Sequence, residues 1–392
     1  MKAKIFMQCI LPSKYIILLM NIKQTAEQIF QNADITIGGS KPFDIQIYNQ
    51  DLWDRVAAGG SIALGESYMD MYWDVDDLAD FVFRIQTSNT HWDAITSKGL
   101  LLYCLRAKLT NLQIGKRAYD VGHAHYDIGN DLYQSMLDTR MIYTAAYWKN
   151  AHNLDEAQAA KLDLICKKLN LQTGQKILDI GCGWGGFMKF AAENYGVQCV
   201  GLSVSKEQIA YGKEVCKGLP VSFILKDYQK YTPEQPFDHI VSIEMFEAVG
   251  HKNYRTFMKK VSHWLRDDGS FLLQTITTTN SSPLADPWLD KYIFPNGMLP
   301  NKKLVEKSVR GLLDIHQWHS LGHDYDQTLM AWWQNFDSRY HSLDQKKYNK
   351  TFYRMWKYYL HICAGGFRSG YLDVWQILLT KPTNHSWRDK TQ

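Results

Sequence analysis

Between residues 175 and 280, short apolar runs alternate with amphipathic stretches. Ile177–Ile180, Val197–Leu202, Val221–Leu225, Phe237–Ile243 and Ser270–Ile276 read as buried strands. Phe187–Ala192, Ser205–Lys217 and Tyr254–Leu265 carry helical spacing between them. Leu154–Leu169 is helical too, and ends in Lys167 and Lys168 as the macrodipole favours. Strands alternating with helices predict an α/β fold, a doubly wound, Rossmann-like parallel sheet with right-handed crossovers. Leu372–Leu379 reads as a last strand.

The first quarter of the sequence follows a different pattern, and residues 20–88 predict a small N-terminal α+β domain. Thr25–Gln31 is a short helix, Ile35–Ile37 and Phe43–Ile47 alternate as strands around Gly38–Pro42, and Asp51 caps a helix through Val56. The aromatic, acidic Gly65–Trp73 packs as helix. Residues 89–118 read as a linker and 119–382 as the catalytic domain. In the linker, apolar Leu100–Leu105 precedes Arg106, Lys108, Lys116 and Arg117. Two readings stay open there, an interdomain helix and a segment resting on a membrane surface.

After the strand Ile177–Ile180, Gly181, Gly183, Gly185 and Gly186 crowd ahead of a helix. Such a turn lets bare backbone approach a ligand, and Asp179 can anchor the turn or reach that ligand. A nicotinamide site would place an acid near the end of the second strand, where Leu202 and Ser203 stand, with Gln208 further on. No Lys-Ser/Thr phosphate loop follows the glycines. That leaves a phosphate-free nucleoside such as S-adenosylmethionine. Ligands of open parallel sheets bind beyond the carboxyl ends of the strands, where Gly181, Ser203, Asp227, Glu244 and Gln274 converge.

Composition narrows the choice. A net charge of +4 is too mild and diffuse to argue for nucleic acid. Thirteen Trp and twenty-three Tyr suit large apolar pockets, and Tyr143–Trp148 is aromatic enough to wall one. Seven Cys with no CxxC pair favour a reduced, cytosolic protein. The apolar start is broken by Pro12-Ser13-Lys14, too short for a membrane span and without a signal-peptide cleavage site, so Met20 is a candidate start. His123 with His125, and His316 with His319, lack further ligands in the sequence, so no metal is expected. Lys346, Lys350, Arg354 and Lys357 share one helical face and Tyr348, Phe352, Met355 and Tyr359 another. That helix either meets an anionic bilayer or sinks its aromatic face into the core.

Together these pieces resemble the bacterial cyclopropane-fatty-acyl-phospholipid synthases. The resemblance is carried by Gly65–Asp70, His125–Asp131, Leu178–Gly186, Met245-Phe246-Glu247, Asp286-Pro287-Trp288, Lys291–Gly297, Tyr325-Asp326, Leu329–Trp332 and Cys363-Ala364-Gly365. It spans about residues 25–380 and includes an N-terminal domain that the related mycolic acid enzymes lack.

The resemblance implies an S-adenosylmethionine-dependent methyltransferase domain acting on the cis double bond of an unsaturated phospholipid acyl chain. It further implies peripheral attachment to the inner face of the membrane, a cytoplasmic location and a possible homodimer. Cofactor contacts are expected from Tyr143, Thr144, Asp179, Gly181, Cys182, Gly183, Leu202, Ser203, Gln208, Asp227, Tyr228 and Glu244. Glu247 and Tyr325 match a pocket for bicarbonate, the family's base, and Cys363 lies near it without the surroundings of an activated thiolate. Tyr143, Tyr147, Tyr292, Phe294 and Tyr325 are candidates for an aromatic wall around developing positive charge.

The pattern departs at three positions. Ala145 stands for the family's Cys, Gln274 for its usual His, and Glu244 for what is often Gly. Some relatives pair the same Glu and Gln. Glu244 either reshapes the anion site or acts as base with Glu247 beside it, or it caps the next helix. Two alternatives to ring closure remain at this stage. One is a methyltransferase that alkylates acyl carbon without closing the ring, the other a catalytically silent lipid-binding homologue.

Overall fold

The computed structural model describes residues 22–88, 128–279 and 285–382. The expectations for residues 1–20, for Leu100–Leu105 with its basic tail, and for His123 and His125 lie outside these residues.

The N-terminal part runs α1 (Ile22–Asn32), β1 (Gln46–Ile47), α2 (Leu52–Met69), β2 (Trp73–Asp74) and α3 (Leu78–Thr87). It is largely helical. The expected strands Ile35–Ile37 and Phe43–Ile47 shrink to Gln46–Ile47, paired antiparallel with Trp73–Asp74. The buried Asp44 carboxylate is the reason: it accepts from Thr36 N at 2.7 Å and Lys41 N at 2.9 Å, closing the loop on a side chain instead of a strand ladder. Asp51 precedes α2 but makes no side-chain cap, and its own N–H donates to Asn49 Oδ1.

The second part runs α4 (Asn130–Met136), α5 (Leu154–Leu169), β3 (Lys176–Ile180), α6 (Gly186–Tyr195), β4 (Gln198–Ser203), α7 (Lys206–Val215), β5 (Val221–Leu225) and β6 (Phe237–Ile243). It continues with α8 (Tyr254–Trp264), β7 (Leu265–Thr278), α9 (Pro287–Tyr292), α10 (Lys302–Val309), β8 (Asp314–Ser320), α11 (Gly322–Arg339), α12 (Lys350–Arg368) and β9 (Leu372–Thr380). The strands form one sheet in the order β5-β4-β3-β6-β7-β9-β8, parallel from β5 to β7, with β9 antiparallel to both its neighbours. The order reverses between β3 and β6, which opens a crevice at their carboxyl ends. Sequence reading misses β8. It is a polar edge strand whose register shifts between Ile315 and Gln317, so its alternation is broken.

Two apolar clusters sandwich the sheet, and a third joins the N-terminal helices to α4, α11 and α12. The N-terminal part is docked through the segments that carry the sequence resemblance. Gly65 lets Trp288 of α9 lie against α2: a Cβ there would stand 2.4 Å from the indole Cδ1. Glu66 Oε1 accepts from Lys291 Nζ at 2.5 Å and from the Tyr292 hydroxyl at 2.7 Å. The Ser61 hydroxyl donates to Asp286. Arg354 of α12 pairs with Asp74 at 2.8 Å and donates to the Tyr68 carbonyl at 2.6 Å.

These contacts correct the bilayer reading of α12. Lys346 precedes the helix, Arg354 is turned inward, and Tyr348, Trp356 and Tyr359 are buried. The aromatic face belongs to the core.

Replacing Gly65 with Val drives a side chain into Trp288. Overpacking of this kind costs about 1–3 kcal/mol. The melting temperature of Gly65→Val is expected to fall, and an unchanged value would mean that α9 is not held against α2.

A candidate active site at the sheet edge

The glycine turn after β3 is pinned to the neighbouring strand. Gly181 N and Cys182 N both donate to the Leu202 carbonyl, each at 3.0 Å. Gly181 and Gly183 have φ of 90° and 53°, and a Cβ on Gly181 would strike Met245 at 2.6 Å. Glycine is therefore required there by conformation as well as by space. Asp179 lies buried just ahead of the turn, and its Oδ1 has no partner. Burial pushes this carboxyl up to about 7, against the pull of buried Lys161.

The other expected cofactor residues line the same edge, but several engage one another. Ser203 Oγ donates to Gln208 Oε1 at 3.0 Å and accepts from Ser205 N, which fixes the start of α7. Asp227 accepts from Gln229 N at 2.8 Å, and the Tyr228 ring stands edge-on to Phe257.

Glu244 follows β6 with φ of 51°. It is therefore not helical, and it does not cap the short 3-10 turn Phe246–Ala248. Its Oε1 accepts from Ala145 N at 2.9 Å and from Gln274 Nε2 at 2.7 Å, and Tyr325 stands beside this carboxylate. Glu244 is half-buried and keeps some accessible surface.

The direction of the Gln274 amide is set from a distance. Lys168 Nζ can only donate, and it donates to Gln376 Oε1 at 2.8 Å. Gln376 Nε2 then meets Gln274 Oε1 at 2.9 Å, which leaves Gln274 Nε2 for Glu244. The Ala145 N–H is placed by α5: Gln158 Nε2 donates to the Thr144 carbonyl and Lys161 Nζ to Thr144 Oγ1, both at 2.8 Å.

Glu247 completes a carboxyl pair. Its Oε1 accepts from Thr275 Oγ1 at 3.0 Å and from Ile276 N, while Oε2 is buried without a partner. Burial, then the like charge of Glu244, pushes Glu247 up to about 8. Burial also raises Glu244, but its donors and Lys161 oppose the rise. Lys161 and the donors thus favour the charged form of Glu244, while its neighbour's charge disfavours that of Glu247.

Aromatic rings close over this pair. Tyr143 packs on Tyr133 and Trp332, and its hydroxyl bonds that of Tyr359 at 2.7 Å. Tyr325 packs on Trp332 and Phe367, and Phe294 stands edge-on to Tyr359. Two expected wall residues lie elsewhere, Tyr292 in the N-terminal docking contact and Tyr147 against His319. Cys363 is buried near Tyr325 and Tyr359, and burial pushes its thiol far up, so it is no thiolate. His316 bonds Thr380 and His319 bonds Lys168, and no group among the described residues is arranged to hold a metal ion. A cavity of about 350 Å³ lined by Glu27, Phe30, Asp34 and Ile35 sits in the N-terminal helices, apart from these side chains.

Sequence reading misses Gln158, Lys161, Lys168 and Gln376. A signal exists for three of them: Leu154, Gln158, Lys161, Ile165 and Lys168 form one stripe along α5, so polar groups sit among apolar ones on an inward face.

A carboxyl held above its unfolded value of 4.5 favours folding at low pH and loses that contribution as pH rises towards about 8. Between about pH 5 and about pH 8, Glu247→Gln is expected to lose less stability than the unsubstituted protein. Parallel denaturation curves across that window would contradict the shift.

A family model described as mycolic acid cyclopropane synthetase matches residues 114–377. The protein is 42% identical over 368 residues to the cyclopropane-fatty-acyl-phospholipid synthase of Escherichia coli K12, covering 94% of this chain and 96% of that one. Among solved structures it is similar to the cyclopropane synthase MmaA2 from Mycobacterium tuberculosis, with a TM-score of 0.62, 32% identity and coverage of 67% of this chain and 98% of that one. The mycolic acid cyclopropane synthase CmaA1 complexed with SAH and CTAB follows, with a TM-score of 0.61, 32% identity and coverage of 66% and 96%.

Proposed function

The chain belongs to the mycolic acid cyclopropane synthetase family, and we propose that it is a cyclopropane-fatty-acyl-phospholipid synthase. It transfers a methylene from S-adenosylmethionine to the cis double bond of an unsaturated phospholipid acyl chain. The observation that carries this reading is the buried Glu244–Glu247 pair beneath the aromatic rings of Tyr143, Tyr325 and Tyr359, beside the glycine turn.

The residues present fit the methyl donor. Asp179 Oδ1 is an unpartnered buried acceptor, and a Cβ on Gly183 would meet only open space. Asp179, the Gly181–Gly183 turn and the ends of β4 and β5 would hold it. S-adenosylmethionine supplies an electrophilic methyl group whose bond to sulfur breaks with the electron pair staying on sulfur. The protein's own part is to hold the alkene against that methyl, exclude water and accept a proton. Aromatic faces stabilise nearby positive charge by about 0.5–2 kcal/mol per contact.

Bicarbonate does not fit. The donors that would hold it, Ala145 N and Gln274 Nε2, are bound to Glu244, and a further anion would meet that carboxylate. No described helix is long and apolar enough to cross a membrane, and the reading has the lipid met at the membrane surface.

Incubation with methyl-labelled S-adenosylmethionine and vesicles of palmitoyl-oleoyl phosphatidylethanolamine tests the proposal. Label is expected in the acyl chain, with the upfield proton resonances of a cyclopropane methylene. A methyl or methylene branch without those resonances, or no incorporation, would contradict it.

A further inference from the structure

Resting on that reading, we propose that Glu244 is the base that closes the ring, so that turnover needs no external anion. Three observations on separate parts of the site carry this.

The first is conformational. Glu244 holds φ of 51°, a region where glycine is at ease and an L side chain is strained. The backbone would be better served by glycine, yet a glutamate stands there with its side chain in the site. Strain at a position that aims a charged group inward points to a functional use.

The second is the donor arrangement. Two N–H donors from separate elements converge on one carboxylate oxygen, the Ala145 amide ahead of α5 and the Gln274 amide on β7, with Tyr325 of α11 beside them. The Lys168–Gln376–Gln274 relay fixes the amide so that it offers N–H, not C=O. Such a site is built for an anion, and the anion is covalently part of the protein.

The third is charge. The ionisable groups facing Glu244 are Lys161 from α5, Tyr325 from α11 and Glu247 from the turn after β6. Lys161 balances one carboxylate and is shared with Asp138 and Asp179. A second mobile anion would be uncompensated in a dry pocket.

The alkene π pair forms a bond to the transferred carbon while the sulfur keeps the pair of the bond that breaks. Positive charge is left on the other alkene carbon. A Glu244 carboxylate oxygen takes a proton from the newly attached methyl, and the freed C–H pair forms the second C–C bond. Glu244 then returns its proton to solvent.

The experiment compares the full-length protein with Glu244→Gly in carbon-dioxide-scrubbed buffer, with and without added bicarbonate. Glycine suits the local backbone, so the variant is expected to melt no lower than the unsubstituted protein. Turnover on oleoyl phospholipid vesicles is expected to be indifferent to bicarbonate in the unsubstituted protein. In Glu244→Gly it should drop by about 10²–10⁴-fold and recover in part when bicarbonate is added. A second readout needs no turnover: ¹³C-bicarbonate should show line broadening with Glu244→Gly and none with the unsubstituted protein. Bicarbonate-dependent turnover by the unsubstituted protein, saturable bicarbonate binding to it, or full activity of Glu244→Gly in scrubbed buffer would each overturn the assignment. Absence of lipid product in every buffer overturns the proposed function and the base with it, while the binding comparison still reports on the anion site.

Discussion

A carboxylate taken out of water must find donors or give up its charge. At the end of β6 this protein places two carboxyl groups in one buried pocket and treats them differently. Each carboxyl takes two donors on Oε1, but Glu244 has Lys161 nearby, whereas Glu247 has its Oε2 buried without a partner and the charge of Glu244 beside it. That difference in surroundings favours charge on Glu244 and a proton on Glu247.

The sheet supplies the frame. Reversal of strand order between β3 and β6 puts the glycine turn and the carboxyl pair on the two sides of one crevice. Helix α5 crosses behind them and contributes Gln158, Lys161 and Lys168, each of which acts on the pocket through another group. Antiparallel β9 brings Gln376 beside Gln274. Helices α11 and α12 provide the rings above, and α12 is held in turn by the N-terminal helices through Arg354. The N-terminal part thus shares a core with the helices that roof the site.

Much of this was legible in the sequence. Apolar strands of parallel type announce themselves by continuous runs, and the glycine turn by its crowding, so the sheet and its ligand edge could be read directly. The departures at Ala145, Gln274 and Glu244 stood out only against the family resemblance. Polar edge strands are harder: Asp314–Ser320 holds too few apolar residues and a shifted register. The loop closed by Asp44 imitates strand alternation while its hydrogen bonds go to a side chain. Nor does spacing disclose that Arg354 faces inward, because its partner Asp74 lies 280 residues away in sequence. The orienting role of Lys168 is hidden for a similar reason, being a property of three side chains on α5, β9 and β7 taken together.

Everything above requires that Glu244, and not Glu247, holds the charge of the pair. Infrared difference spectroscopy between the unsubstituted protein and Glu247→Gln at neutral pH reads this directly. The substitution is expected to remove the carbonyl band of a protonated acid and to leave the carboxylate stretching bands in place. Loss of a carboxylate band instead, with no protonated-acid band removed, would mean that the charge sits on Glu247.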